Sequence, residues 1–178
     1  MVGKSLTRNI VIILCMMSFM SCRSTRYLST VEKVDLKKYQ GTWYEIARLP
    51  NSFERGVDCI TATYIQKQNG KIKVINQAYN KKKQKVRKAV GTAWRPDENY
   101  QGRLKVSFFW PFAGDYYIIA LDDNYQYALV GNPSRKYLWI LARNKTISQD
   151  TYYELVKIAS KNGFDVSKLI FPEHDCYD

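Results

Sequence analysis

Between residues 40 and 143 apolar and polar residues alternate in short runs, most of them closed by a turn signal. Trp43–Leu49 stops at Pro50-Asn51-Ser52, and Asp58–Gln66 is followed by Asn69-Gly70. Lys71–Tyr79 ends at Asn80 and a lysine run, Lys85–Arg95 at Pro96-Asp97, and Gly102–Trp110 at Pro111. Asp115–Leu121, Tyr125–Gly131 and Lys136–Arg143 complete the series. Alternation with a period of two is the mark of a half-buried strand, and Asn-Gly is a strong hairpin turn. Eight such runs with no helix between them predict an antiparallel sandwich or barrel. The period then changes. Tyr152, Leu155, Val156 and Ala159 recur at helical spacing, with Ser148 placed to cap the segment and Gly163 to stop it. This helix is expected on the outside of the sheet, and Phe164–Phe171 is expected to add a short edge strand.

Eight meandering strands can close into a barrel just wide enough for one small ligand. Parity shows which side chains would share a face. Leu104, Val106 and Phe108 oppose Arg103, Lys105 and Ser107, while Ile72, Val74, Asn76 and Ala78 oppose Lys71, Lys73, Ile75 and Gln77. Ala89, Gly91 and Ala93 share a third face, and three small side chains leave room on a barrel wall. Such faces also build a packed core. Small residues beside Tyr64, Tyr116 and Trp139 favour a cavity. Glu45 has the parity of Trp43, so its carboxylate is expected to point inward near the floor. There it would pair with a buried base or, in the other reading, touch a ligand.

Composition narrows the class. The chain has 178 residues, 46% hydrophobic and 25% charged, which is one globular domain and not a disordered segment. No apolar run in its body is long enough to span a bilayer as a helix. The net charge of +12 suits the phosphates of nucleic acid or of lipid headgroups.

The N-terminus bears on that choice. Lys4 and Arg8 precede the apolar stretch Ile10–Phe19, the order of a signal peptide covering residues 1–21. Met20-Ser21-Cys22 resembles the bacterial lipobox, which implies a diacylglyceryl group on Cys22; the alternative is ordinary cleavage elsewhere with Cys22 a spare thiol. Arg23, rather than Asp, follows that cysteine, which by the sorting rule of enteric bacteria points to the outer membrane. Residues 22–38 are polar and read as a lipidated tether, leaving 39–178 as the folded domain. Loss of residues 1–21 removes Lys4 and Arg8 and no acid, leaving 26 basic and 16 acidic residues, net +10. An exported chain meets anionic lipid rather than nucleic acid, so no nucleic-acid partner is expected. The run Lys81–Lys88 is then either a solvated hairpin tip or a patch that rests on headgroups. Of four cysteines, Cys15 would leave with the signal and Cys22 would take lipid. Cys59 and Cys176 remain, and in an oxidising compartment they form either one disulfide or two free thiols.

Several segments together resemble the lipocalin family. Tyr39–Pro50, with Gly41-Thr42-Trp43, is similar to the first lipocalin strand. Phe53–Asp58 with Thr61–Tyr64, Lys105–Phe112, Tyr117–Leu121, Tyr127–Val130, Tyr137–Arg143 and Phe164–Lys168 follow in the family's order. The likeness covers about residues 37–175 and is strongest to bacterial outer-membrane lipoprotein members and to apolipoprotein D. It implies an all-β fold, an eight-stranded antiparallel up-and-down β-barrel with one C-terminal α-helix packed outside. It implies that Arg143 stacks on Trp43 at the barrel floor and that Cys59 pairs with Cys176. It further implies that Tyr64, Asn76, Phe108, Tyr116 and Trp139 line a ligand pocket. The implied function is binding and storage or transport of a fatty acid or lysophospholipid, for membrane maintenance under stress, by a lipid-anchored protein of the outer membrane facing the periplasm. Another reading, an envelope interaction protein with a filled barrel, also fits the pattern. An enzymatic reading has less support: His174, the one histidine, lies in a polar tail and is expected to be solvent-exposed. No metal-ligand spacing, phosphate loop or nucleophile elbow is present, so no metal and no cofactor is expected.

Overall fold

A computed structural model describes residues 27–176. The signal segment and Cys22 lie outside the described residues. The eight runs form strands β1 (Gly41–Arg48), β2 (Asp58–Gln66), β3 (Ile72–Asn80), β4 (Lys85–Trp94), β5 (Arg103–Phe109), β6 (Phe112–Leu121), β7 (Tyr127–Gly131) and β8 (Leu138–Ala142). Each pairs antiparallel with the next, and β8 returns to β1, closing the barrel. Strand β7 starts two residues later than the pattern predicts. The carboxylate of Asp122 accepts from the backbone N–H groups of Asn124, Gln126 and Tyr127, which holds that stretch as a turn.

The barrel separates two cores. The inner one gathers Trp43, Tyr64, Ile72, Val74, Ala93, Leu104, Ile118, Val130 and Leu141. The outer one lies beneath a helix, where Leu155 and Ala159 pack on Ala47, Leu129, Leu138 and Ile140. Ser148 caps that helix, Gln149–Lys161, by accepting from the Thr151 N–H at 3.1 Å.

Two expectations are corrected. Residues 164–171 do not form an edge strand: they hold a 3₁₀ turn, Val166–Lys168, and one bridge between Ile170 and Arg48. A closed barrel has no free edge to extend. The expected tether is also shorter, because from Leu28 onward the chain is packed. Leu28 joins the outer core, the Val31 N–H donates to the Ile118 carbonyl, and Val34 enters the inner core. The chain then forms helix α1 (Leu36–Tyr39), capped by Asp35, ahead of helix α2 (Gln149–Lys161). These apolar residues are spaced too irregularly to show a period.

Candidate functional site

Because consecutive strands are antiparallel, the β1–β2, β3–β4, β5–β6 and β7–β8 connections gather at one end of the barrel. The other end is a floor. There α1 precedes Gly41, whose φ of +93° turns the chain into β1. Trp43 is fully buried and its indole N–H donates to the Tyr39 carbonyl at 2.9 Å. The Arg143 guanidinium lies 3.9 Å from the Trp43 ring centroid and donates to the carbonyls of Lys38, Gln40, Thr42 and Tyr125. A partly desolvated cation over an indole contributes about 1–2 kcal/mol, and the four carbonyls tie the end of β8 to the α1–β1 segment and to the β6–β7 turn.

Burial along the inner face falls from floor to mouth. On β3, Ile72 and Val74 are buried while Asn76, Ala78 and Asn80 are half-buried. On β4, Ala93 and Gly91 are buried while Ala89 and Arg87 are exposed. On β5, Leu104 is buried, Val106 half-buried and Phe108 exposed; on β6, Ile118 is buried, Tyr116 half-buried and Gly114 exposed. The lower half is thus a packed core and the upper half is open to solvent at the mouth, a cup. Of the three small residues on β4, only Ala89 faces this space. Ala93 lies in the packed half, and a Cβ at Gly91 would meet the Phe108 ring at 2.8 Å.

The five residues that the family resemblance singles out occupy different levels. Tyr64 and Tyr116 sit at the base of the cup, where the Tyr116 hydroxyl is 2.8 Å from both the Tyr39 and Tyr64 hydroxyls. Burial pushes all three phenols up, Tyr64 to about 12 and the others well above the ordinary value, so they are neutral hydrogen-bonding groups. Asn76 stands above them on the wall, across from Ala62 and Ala89, and its side-chain carbonyl is buried without a hydrogen-bond partner. Trp139 lies on the β8 wall, half-buried, with Tyr137 stacked on it and Phe53 leaning over it from the β1–β2 loop. Phe108 stands apart at the β4–β5 seam, covering Gly91.

A polar cluster beside Trp139 could not be read from alternation. The β1–β8 register shifts between Glu45 and Ala47, so Glu45 faces Leu141 and Arg48 faces Trp139, both inward, while Ala47 turns to the outer core. Glu45 is paired as expected: Arg48 Nη1 donates to its carboxylate at 2.8 Å. Arg48 also donates to the Glu54 carbonyl, and the Trp139 indole N–H donates to the Glu54 carboxylate at 3.2 Å. Burial and the nearby Glu54 carboxylate push Glu45 up to about 8, against the pull of Arg48. His174 is not the exposed tail residue expected. Its Nε2–H donates to the Glu45 carbonyl at 2.8 Å and its ring packs edge-on against Tyr44. The tail is drawn in because Cys176 forms a disulfide with Cys59, where the Cys59 N–H also donates to the Glu173 carbonyl. Among the described residues no group of three or more His, Cys, Asp or Glu side chains could hold a metal ion.

Residues 34–174 match the model of the lipocalin-like domain. The chain is 47% identical over 144 residues to the outer membrane lipoprotein Blc of Citrobacter freundii, covering 81% of each chain. It is 37% identical over 151 residues to apolipoprotein D of Macaca fascicularis, covering 81% of this chain and 79% of that one. Among solved structures it resembles insecticyanin of Manduca sexta with a TM-score of 0.67 at 24% identity, over 83% of this chain and 84% of that one.

Proposed function

We propose a lipid carrier role for this chain, which belongs to the lipocalin family: its cup takes up a single-chain lipid, a fatty acid or lysophospholipid. The observation that carries the reading is the fall in burial along the inner face, sealed from Ile72 to the floor and open from Asn76 to the mouth. A filled barrel would be buried along its whole length, so the same observation counts against a purely structural role. The open walls are apolar or small at Ala62, Ala78, Ala89, Val106 and Trp139, and a long chain buried there gains about 0.8 kcal/mol per methylene. An eight-stranded barrel is narrow, which suits one acyl chain. Lys85 and Arg87 have inward parity at the mouth, where a carboxylate or phosphate head would sit. The unpartnered carbonyl of Asn76 would accept from a hydroxyl of the cargo.

The Citrobacter relative is named an outer membrane lipoprotein. With the signal-like segment and Cys22, this supports an anchor in the outer membrane; our reading further has the barrel face the periplasm and serve membrane maintenance under stress. Titration with a fluorescent fatty acid tests the cup. Ala89→Phe fills space beside Asn76 and displaces about two methylenes, so affinity should fall on the order of tenfold with the fold intact. Unchanged affinity would place the ligand elsewhere.

A further inference from the structure

Three of the four most exposed large hydrophobic side chains share one turn. Phe109, Trp110 and Phe112, at 75%, 80% and 72% exposure, form the β5–β6 connection at the mouth. The rings of Phe109 and Phe112 stack on each other at 6.4 Å, and among the described residues no other element covers them. Phe53, also exposed, adds a fourth ring from the β1–β2 loop at the same end. Monomers seldom leave a contiguous apolar patch of this kind open without a use.

Charge is segregated beside it. Between Asp58 and Asp97 the sequence holds ten Lys and Arg and no Asp or Glu. From residue 22 on, the rest of the chain carries sixteen basic and sixteen acidic residues. The whole surplus of the exported chain therefore lies on β2, β3, β4 and their turns. At the mouth, Lys81 is paired with Asp58 and Glu173, but among the described residues Lys82, Lys83, Lys85, Arg87 and Lys88 carry no ion pair. Pairing of β4 with β5 stops at Thr92 and Ser107, and Lys85–Val90 continue, exposed, past that point toward the aromatic turn. A groove of about 740 Å³ runs down the β3–β5 wall from Trp110 and Phe108 at the aromatic turn, past Val90, to Lys73, Lys71 and Lys67 near the β2–β3 turn at the floor end.

We propose that the mouth end of the barrel is a seat for an anionic bilayer surface, with the aromatic β5–β6 turn entering the headgroup layer and the basic β3–β4 hairpin lying against lipid phosphates. Trp and Phe beside Lys and Arg are the side chains that partition to a membrane interface, rings inward and cations toward the phosphates. A second copy of this chain is a poor occupant, because its matching face would bring cations against cations. Geometry agrees with the anchor proposed above. Tyr27 lies over Arg103, level with Tyr117 of β6, and five residues of β6 separate Tyr117 from Phe112, about 17 Å. Five residues also separate Cys22 from Tyr27, a reach of about 17 Å. A lipid on Cys22 can share the bilayer on which the mouth rests, and cargo then moves between bilayer and cup without crossing water. The seat itself does not depend on the cup being occupied.

Depth-dependent quenching tests it. The chain expressed in the envelope is purified in detergent and reconstituted into phosphatidylcholine–phosphatidylglycerol vesicles carrying brominated acyl chains. Bromolipid should quench the wild-type tryptophan emission. In Phe109→Ser with Phe112→Ser, which leaves Trp110 in place, the fractional quenching should drop on the order of twofold. Lys82→Glu with Lys83→Glu should lower it as well, each lost cation weakening attraction about fivefold. In the wild type, vesicles of phosphatidylcholine alone should quench less, a comparison that needs no variant. Quenching that is equal in both lipid mixtures, or untouched by both sets of substitutions, overturns the proposal. Fatty-acid binding by the same preparation reports on the cup separately.

Discussion

Tyr116 holds the base of the cup together through one oxygen, hydrogen-bonded to Tyr39 and Tyr64 at once. Removing it leaves two buried hydroxyls without their partner, a loss that typically costs about 1–3 kcal/mol. Tyr116→Phe should lower the free energy of urea unfolding by that amount, and Tyr64→Phe, at the end of the chain of hydroxyls, by less. Glu45 gives a pH signature. Its carboxyl titrates near 4.5 when unfolded and at about 8 when folded, because burial and Glu54 outweigh Arg48. Between those values the native state binds the extra proton, so this contribution is complete below pH 4.5 and is lost as pH rises through 8. Stability from pH 5 to 8 should therefore fall, by up to about 1.4 kcal/mol per pH unit, and Glu45→Gln should flatten the profile. A Gln variant with the wild-type slope would assign the slope to other groups. At this scale the sequence shows Trp43, Arg143 and the inward side of β3 well, because a motif and a strict alternation mark them. It hides Arg48 and Glu54, since one extra residue at the β1 shift reverses parity and no local pattern announces it.

Strands and turns were legible for a physical reason: each hairpin is closed by residues that can do little else, such as Asn69-Gly70 and Pro96-Asp97. Helix α2 was legible through its period and its cap, and Ser148→Ala should cost about 1 kcal/mol in thermal unfolding. The segments that were misread are those whose structure is borrowed from the barrel. Leu28–Val34 and Ile170–Cys176 follow no repeat; they take backbone partners from Ile118, Arg48 and Cys59 of the barrel. The disulfide fixes the second of them. It joins positions 117 residues apart, and Cys59→Ser with Cys176→Ser should lower stability by a few kcal/mol, at most about 4–5 in the chain-entropy model. Retained stability in that double variant would mean that the Glu173 and His174 hydrogen bonds alone hold the tail.

The whole molecule joins a sealed floor, an open cup and a mouth whose rim is aromatic on one side and cationic on the other. The fold was largely visible in the sequence; the division of the interior into a packed lower half and an open upper half was not, because inward parity is the same for Ile72 and Asn76. That division underlies the proposed carrier role, in which the upper half holds one acyl chain. The direct measurement is native mass spectrometry of the chain purified from the envelope. The expected result is a bound species heavier by one single-chain lipid, exchangeable with added palmitate or lysophosphatidylethanolamine and reduced by Ala89→Phe. A single bare species that takes up neither lipid would contradict it.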